Sequence, residues 1–255
     1  MDRCVWYEQP LNERMRVLLR LEFLYERVLH AAAGWSVWEA RAALESLIEL
    51  LGLLGRAEVR AELLKEADRL CLQLDRQRET AADPATVDAS IRDLAVSADA
   101  ARRLDALQLD DIRRNEFLNA LRQRASIPGG ACSFDLPALH HWLNRDPEIR
   151  ADQLDGWLTP LLPGRDAAAA VLRTIRAAAE ADPQVAQSGF YQQGLDPALP
   201  AQLVRVGVTV ESGVFPEISG GRHRFTIRFL CQPNPVRRPF QTDEDTGFLL
   251  ACCVV

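Results

Sequence analysis

Gln202-Leu203-Val204-Arg205-Val206-Gly207-Val208-Thr209-Val210 is the stretch that decides the fold. Val204, Val206, Val208 and Val210 recur at every second residue, and successive side chains of a strand point to opposite faces, so the four share one face. Phe225, Ile227 and Phe229 repeat the pattern downstream. Two strands with one apolar face each, set among turn residues, predict an antiparallel sheet in the C-terminal part.

Toward the N-terminus the period changes. Residues before Pro183 carry long helical patterns, whereas alternation begins after Gly189. A first helix is expected from Leu11 to about His30, with Leu11, Met15, Leu18, Leu21, Phe23, Leu24, Tyr25 and Val28 on a broad apolar arc and Arg16, Arg20 and Arg27 within a narrow one. Ser36-Val37-Trp38-Glu39 has capping-box spacing and opens a second helix to about Leu54. A third spans Arg56 to about Arg78, with Val59, Leu63, Leu70 and Leu74 at core spacing. Asp83-Pro84 and Asp146-Pro147 each place a capping acid before a proline suited to the first turn, so helices start there. Further helices are expected over Asp110 to Ala125, over Asp135 to Leu143 and over Arg165 to Glu180, the last ending before Asp182-Pro183. Cys4 to Tyr7 is cut off from the first helix by Pro10 and is expected to pair as a strand with the C-terminal sheet. The reading is an α+β protein, with a mainly helical domain over 9–183 and a smaller antiparallel β domain formed by 1–8 and 184–255.

With 255 residues, 48% apolar and 26% charged, the chain can bury one large core or two modest ones. No segment has the roughly 18 uninterrupted apolar residues of a membrane helix, and the N-terminus, with Asp2 and Glu8, lacks a secretory apolar region; a cytoplasmic protein without a membrane partner is expected. Six cysteines without a C-x-x-C pair define no zinc framework, and reduced thiols are the default. Cys252-Cys253-Val254-Val255 superficially fits a prenylation signal, but no polybasic run precedes it and Phe248 to Cys253 reads as a strand. Neither a phosphate-binding loop nor a dinucleotide fingerprint occurs, so no cofactor is expected.

Three features carry chemistry. Arg222, Arg224 and Arg228 lie at even spacing, so on a regular strand they form a row about 20 Å long, opposite Phe225, Ile227 and Phe229. Alternation alone reads this row as the solvated face of a half-buried sheet. In a chain of net charge −6 it also suggests a carboxylate-bearing partner. Nucleic acid is disfavoured by the overall acidity, although a module using this row for phosphates is an alternative. In Arg124-Ala125-Ser126-Ile127-Pro128-Gly129-Gly130-Ala131-Cys132-Ser133-Phe134-Asp135, Pro128 stops a helix, Gly129-Gly130 offers positive φ and Asp135 is placed as an N-cap. Cys132, Asp135 and His140 also suggest a Cys/His-dependent enzyme, but sequence proximity shows neither a base within reach nor three convergent metal ligands. His140 and His141 point about 100° apart on a helix, so one is expected toward the core and one toward solvent.

The same 123–143 stretch, ending in Leu139-His140-His141-Trp142-Leu143, resembles the ZapD family of bacterial cell-division proteins, which bind and bundle filaments of the tubulin-like GTPase FtsZ. Tyr7-Glu8-Gln9-Pro10-Leu11-Asn12-Glu13-Arg14-Met15-Arg16, Gly55-Arg56-Ala57-Glu58-Val59-Arg60, Gly189-Phe190-Tyr191-Gln192, Phe215-Pro216-Glu217-Ile218 and Arg224-Phe225-Thr226-Ile227-Arg228-Phe229 are similar to family blocks in order and spacing. The resemblance implies a homodimer at the mid-cell division site that takes the C-terminal tail of FtsZ and is not an enzyme. It implies partner contact by Arg56 at the start of the third helix and by Arg224 and Arg228, with Arg222 beside them and a basic stripe that Arg20 and His140 fit. Glu116 stands where that stripe has a basic residue, and Arg113 and Arg114 supply charge nearby. Arg56, Arg224 and Arg228 are expected to converge on tail carboxylates while apolar tail residues occupy the domain junction.

Overall fold

The computed structural model describes residues 3–79, 83–103, 106–199, 201–221 and 223–255. Arg222, one of the three arginines of the expected row, lies outside the described residues. The chain divides into two compact units, Met1–Arg16 with Leu172–Val255, and Val17–Val171. The α+β reading holds: helices come first, antiparallel sheets follow, and the N-terminal strand pairs into one of them.

The helices are α1 (Glu13–Ala32), α2 (Val37–Leu54), α3 (Ala57–Gln77), α4 (Pro84–Arg102), α5 (Ala106–Arg114), α6 (Glu116–Arg124), α7 (Pro137–Leu143), α8 (Pro147–Leu158) and α9 (Leu162–Ala177). Their starts are chemical. Ser36 and Glu39 form the reciprocal box, Glu39 N donating to Ser36 Oγ at 3.1 Å and Ser36 N to Glu39 Oε2 at 2.9 Å. Asp83 and Asp146 cap α4 and α8 as their Asp-Pro spacing requires. The first helix starts two residues later than expected: Leu11 N still donates to Gln202 O, and Asn12 Oδ1 accepts from Met15 N at 2.9 Å, which makes Asn12 the cap.

The expected helix over Asp110 to Ala125 is two. Asn115 Oδ1 accepts from Leu118 N at 3.1 Å, so a capping side chain inside the apolar pattern ends α5 and opens α6. Asp135 does not cap α7 either; Leu136 takes that position without a side-chain bond. Of the glycine pair, only Gly129 uses positive φ, at 71°. Gly130 allows close approach, since a Cβ there would stand 2.7 Å from Ile127 Cβ. The core of the helical unit gathers Leu18, Leu21 and Tyr25 of α1, Leu44, Leu47 and Leu50 of α2, Leu63 and Leu70 of α3, and Leu139 of α7. Tyr25 donates to Leu161 O at 2.7 Å and burial pushes its pKa up. Phe23, expected on the apolar arc, is 58% exposed, with the Arg27 guanidinium 5.9 Å from its ring centre.

The strands are β1 (Cys4–Pro10), β2 (Asp182–Ala186), β3 (Phe190–Gly194), β4 (Ala201–Thr209), β5 (Val214–Gly220), β6 (Arg224–Cys231), β7 (Phe240–Gln241) and β8 (Thr246–Val254). They form two antiparallel sheets and not the single one expected, with orders β1-β4-β8-β2 and β3-β6-β5, β7 pairing with β6. One face of each is apolar, and each covers the other: Val204, Val206, Val208, Phe248 and Leu250 of the first sheet share a core with Phe225, Ile227 and Phe229 of the second. β4 stops at Thr209. Val210 sits in a single 3-10 turn and is 51% exposed, so it leaves the valine face, and Gly213 at φ 68° turns the chain into β5. α9 ends at Ala177, before the expected Glu180, and a strand already begins at Asp182. Pro183 fits there because β2 is an edge strand.

Candidate partner-binding surface

On β6 the inward side chains are Phe225, Ile227 and Phe229, all fully buried, so Arg224 and Arg228 project outward and are exposed. The ladder fixes their neighbours. Arg228 lies between Phe190 of β3 and Glu217 of β5, and Arg224 lies opposite Gly194 of β3. The Arg228 guanidinium donates to the Glu217 carboxylate, in a pair whose side chains are 55% and 52% exposed. Arg224 makes no ion pair among the described residues. Arg237 and Arg238, which entered no sequence argument, are exposed on the turn between β6 and β7.

A second charged group in this unit is largely buried and was not read from the sequence. The Glu8 carboxylate of β1 accepts from Arg176 of α9 at 2.8 and 2.6 Å and from Arg205 of β4 at 2.9 Å. The Arg205 guanidinium also lies 4.7 Å from the Trp6 ring centre. Burial pushes the Glu8 carboxyl up, but the hydrogen bonds and charges of Arg176 and Arg205 outweigh it and hold the pKa below its ordinary value. Glu8 and Arg205 oppose each other in the β1–β4 register, a pairing visible only once that register is known. These arginines tie β1 to β4 and to α9, whereas Arg224 and Arg228 on β6 stay exposed.

In the helical unit Arg56 occupies the N-cap position of α3 without a side-chain cap bond and is exposed. The Arg113 guanidinium lies against Gly55, the residue before Arg56, where a Cβ would stand 3.5 Å from its Nε. Arg113 is 3.8 Å from Asp110, and Arg114 and Glu116 are exposed nearby in sequence. Arg20 is exposed on α1 and has no ion pair among the described residues, while Arg27 of the same arc is bound to Glu49 at 2.7 Å. His140 and His141 are both exposed, contrary to the expectation of one turned inward. Leu139, Trp142 and Leu143 take the buried side of α7 instead, Trp142 stacking on Trp157 and meeting Phe117 at a tilt. No hydrogen bond or ion pair joins Arg20 or His140 to Arg56 or Arg113 among the described residues.

Cys132 borders an open groove of about 580 Å³ that is also lined by Trp38, Arg41, Leu44, Ile48 and Ile127. Its thiol faces Asp135 Oδ2 at 3.4 Å, and Asp135 Oδ1 accepts from Arg124 at 3.1 Å. Asp135 thus ties the turn to α6, which is why it does not cap α7. His140 shares no hydrogen bond with Cys132 among the described residues, and the structure does not assemble a thiol with an imidazole base. No group of three His, Cys, Asp or Glu side chains that could hold a metal ion occurs among the described residues. No described helix is long and apolar enough to cross a membrane.

The described residues thus form a helical unit joined in sequence to a unit of two antiparallel sheets, with Arg20, Arg56, Arg224 and Arg228 all exposed. The ZapD family, described as a cell division protein, matches residues 19–228. Cell division protein ZapD of Methylococcus capsulatus is 39% identical over 256 residues, covering all of both chains, and those of Aromatoleum aromaticum and Dechloromonas aromatica are each 36% identical over 97% or more of this chain. The chain belongs to the ZapD family.

Proposed function

We propose that the protein binds the C-terminal tail of FtsZ and, as a homodimer, crosslinks and bundles FtsZ filaments in the cytoplasm at the mid-cell division site. The observation that carries this reading is the outward pair Arg224 and Arg228 on β6, a local positive face on a chain of net charge −6, in a member of a cell-division family. Arg56, Arg113, Arg20 and His140 are the helical unit's candidate contacts. Arg222 is a further candidate by its place in the sequence.

The mechanism is one of valency. A single tail site decorates a filament, whereas two sites in a dimer connect two filaments, and filaments presenting many tails multiply weak contacts through effective concentration. Nucleotide, metal and thiolate chemistry have no part in it. Co-sedimentation with FtsZ filaments carrying or lacking the C-terminal tail tests the reading. Pelleting with the tailed filaments only is expected, and equal pelleting with both rejects the tail site.

A further inference from the structure

The outward face of the β3-β6-β5 sheet is divided along β6. Residues paired across an antiparallel ladder project on the same side, so Arg228 stands in one row with Phe190 and Glu217, and Leu230 in the next with Phe215. Phe190 is 43% exposed although it lies beside a guanidinium, and Leu230 and Phe215 are half-buried. Arg224, four residues further along and so about 13.6 Å away, ends the face opposite Gly194, which offers neither a carboxylate nor a side chain to cover it. One end of the face is therefore mainly apolar, with Gln241 of β7 standing beside Leu230, the other is cationic, and the cation between them is already occupied by a carboxylate of the protein itself.

We propose that this face takes an extended, acidic segment of a partner polypeptide by carboxylate exchange: an incoming carboxylate displaces Glu217 from Arg228, a second reaches Arg224, and an apolar side chain of the segment rests on Phe190 and Leu230. Glu217 is then a built-in competitor that sets the affinity of the surface and rejects segments without a correctly placed acid. Both partners of the Arg228–Glu217 pair are half exposed, so parting them strands no charge in the interior, and the exchange replaces one charge-assisted bond by another. Among the described residues Arg224 has no such bond to give up. The affinity therefore comes chiefly from Arg224 and the apolar end, while Arg228 contributes only the difference between the two carboxylates. This inference rests on the tail-binding reading, with the FtsZ tail as the segment.

Fluorescence anisotropy of a labelled FtsZ tail peptide on the full chain at low salt tests it. Glu217→Gln is expected to tighten binding about 3- to 10-fold, because the competitor is gone and the local field becomes more positive. Glu217→Thr, which cannot accept as a carboxylate does and suits a strand, should give the same gain. Glu211→Gln, removing an exposed acid from the turn before β5, should change affinity less than about twofold if the effect is local and not one of net charge. A tail peptide with its Asp and Glu replaced by Asn and Gln should show no gain with either Glu217 variant, and Phe190→Ala should weaken both peptides. If the native protein binds no tail peptide, the tail reading falls and this inference with it. If it binds but the Glu217 variants bind no tighter, or Glu211→Gln tightens binding as much, the exchange alone is overturned.

Discussion

Arg224 and Arg228 share a strand and a face and are both exposed, yet their surroundings differ. Arg228 is partnered and Arg224 is open, a distinction that spacing along β6 cannot express because it depends on which residues of β3 and β5 stand opposite. Reversing both charges, Arg224→Glu with Arg228→Glu, should weaken tail binding by about 2 kcal/mol or more, roughly 30-fold, by turning charge-assisted contacts into repulsions. Circular dichroism should be unchanged, since the exposed Arg228–Glu217 pair adds at most about 1 kcal/mol to stability. Unaltered tail affinity in a folded double variant would leave the row as an ordinary solvated face. Cys132, the other chemically suggestive residue, directs its thiol at the Asp135 carboxylate, which is itself held by Arg124, and no imidazole is hydrogen-bonded to it among the described residues.

At the scale of elements, periodicity located most helices and the principal strands, and local chemistry set several boundaries. Ser36, Asp83 and Asp146 were legible as caps because a cap needs only residues within three positions of it. Asn115 was equally local but lay inside an unbroken apolar pattern, and the period outweighed it in the reading. β1 was legible as an isolated apolar run; what fixes it to its neighbours was not. Glu8 ties β1 to β4 through Arg205 and to the end of α9 through Arg176. Its pKa is held below the ordinary 4.5, so between those two values the unfolded chain binds a proton that the folded one does not. The contribution is fully present above about pH 4.5 and is lost as the pH falls through the lowered value. Urea denaturation should find Glu8→Gln about 2 kcal/mol less stable at neutral pH, since two largely buried guanidiniums lose their carboxylate, and the gap should close in acid. A constant gap at every pH would show that Glu8 acts by packing alone.

For the whole molecule, binding and crosslinking are separable quantities. If bundling arises from two tail sites in a dimer, a folded monomeric variant should keep its single-tail affinity within a few-fold and lose bundling, because bivalency multiplies affinity by roughly 10²-fold or more without any new contact. Anisotropy of a tail peptide reports the first property and light scattering of filaments the second. Added salt should weaken bundling more steeply than tail binding, since every crosslink needs two electrostatically assisted contacts and the Debye length is only about 8 Å at 0.15 M. A monomer that bundles as well as the native protein would require two tail sites per chain.

The alternation of Val204, Val206 and Val208 and of Phe225, Ile227 and Phe229, the Asp-Pro helix starts and the charge on β6 follow from the sequence alone, because each depends on period or on neighbours within one turn. That the strands divide into two sheets, that Asp182–Ala186 is an edge strand despite Pro183, and that Val210 leaves its face were settled by tertiary structure, where an apolar face is buried only if another sheet covers it. The same holds for charge. Glu8 and Arg205 are 197 residues apart, and Glu217 and Arg228 stand on separate strands; only the registers of β1 with β4 and of β5 with β6 bring each carboxylate to its guanidinium, since a shift of one residue would turn either partner to the opposite face.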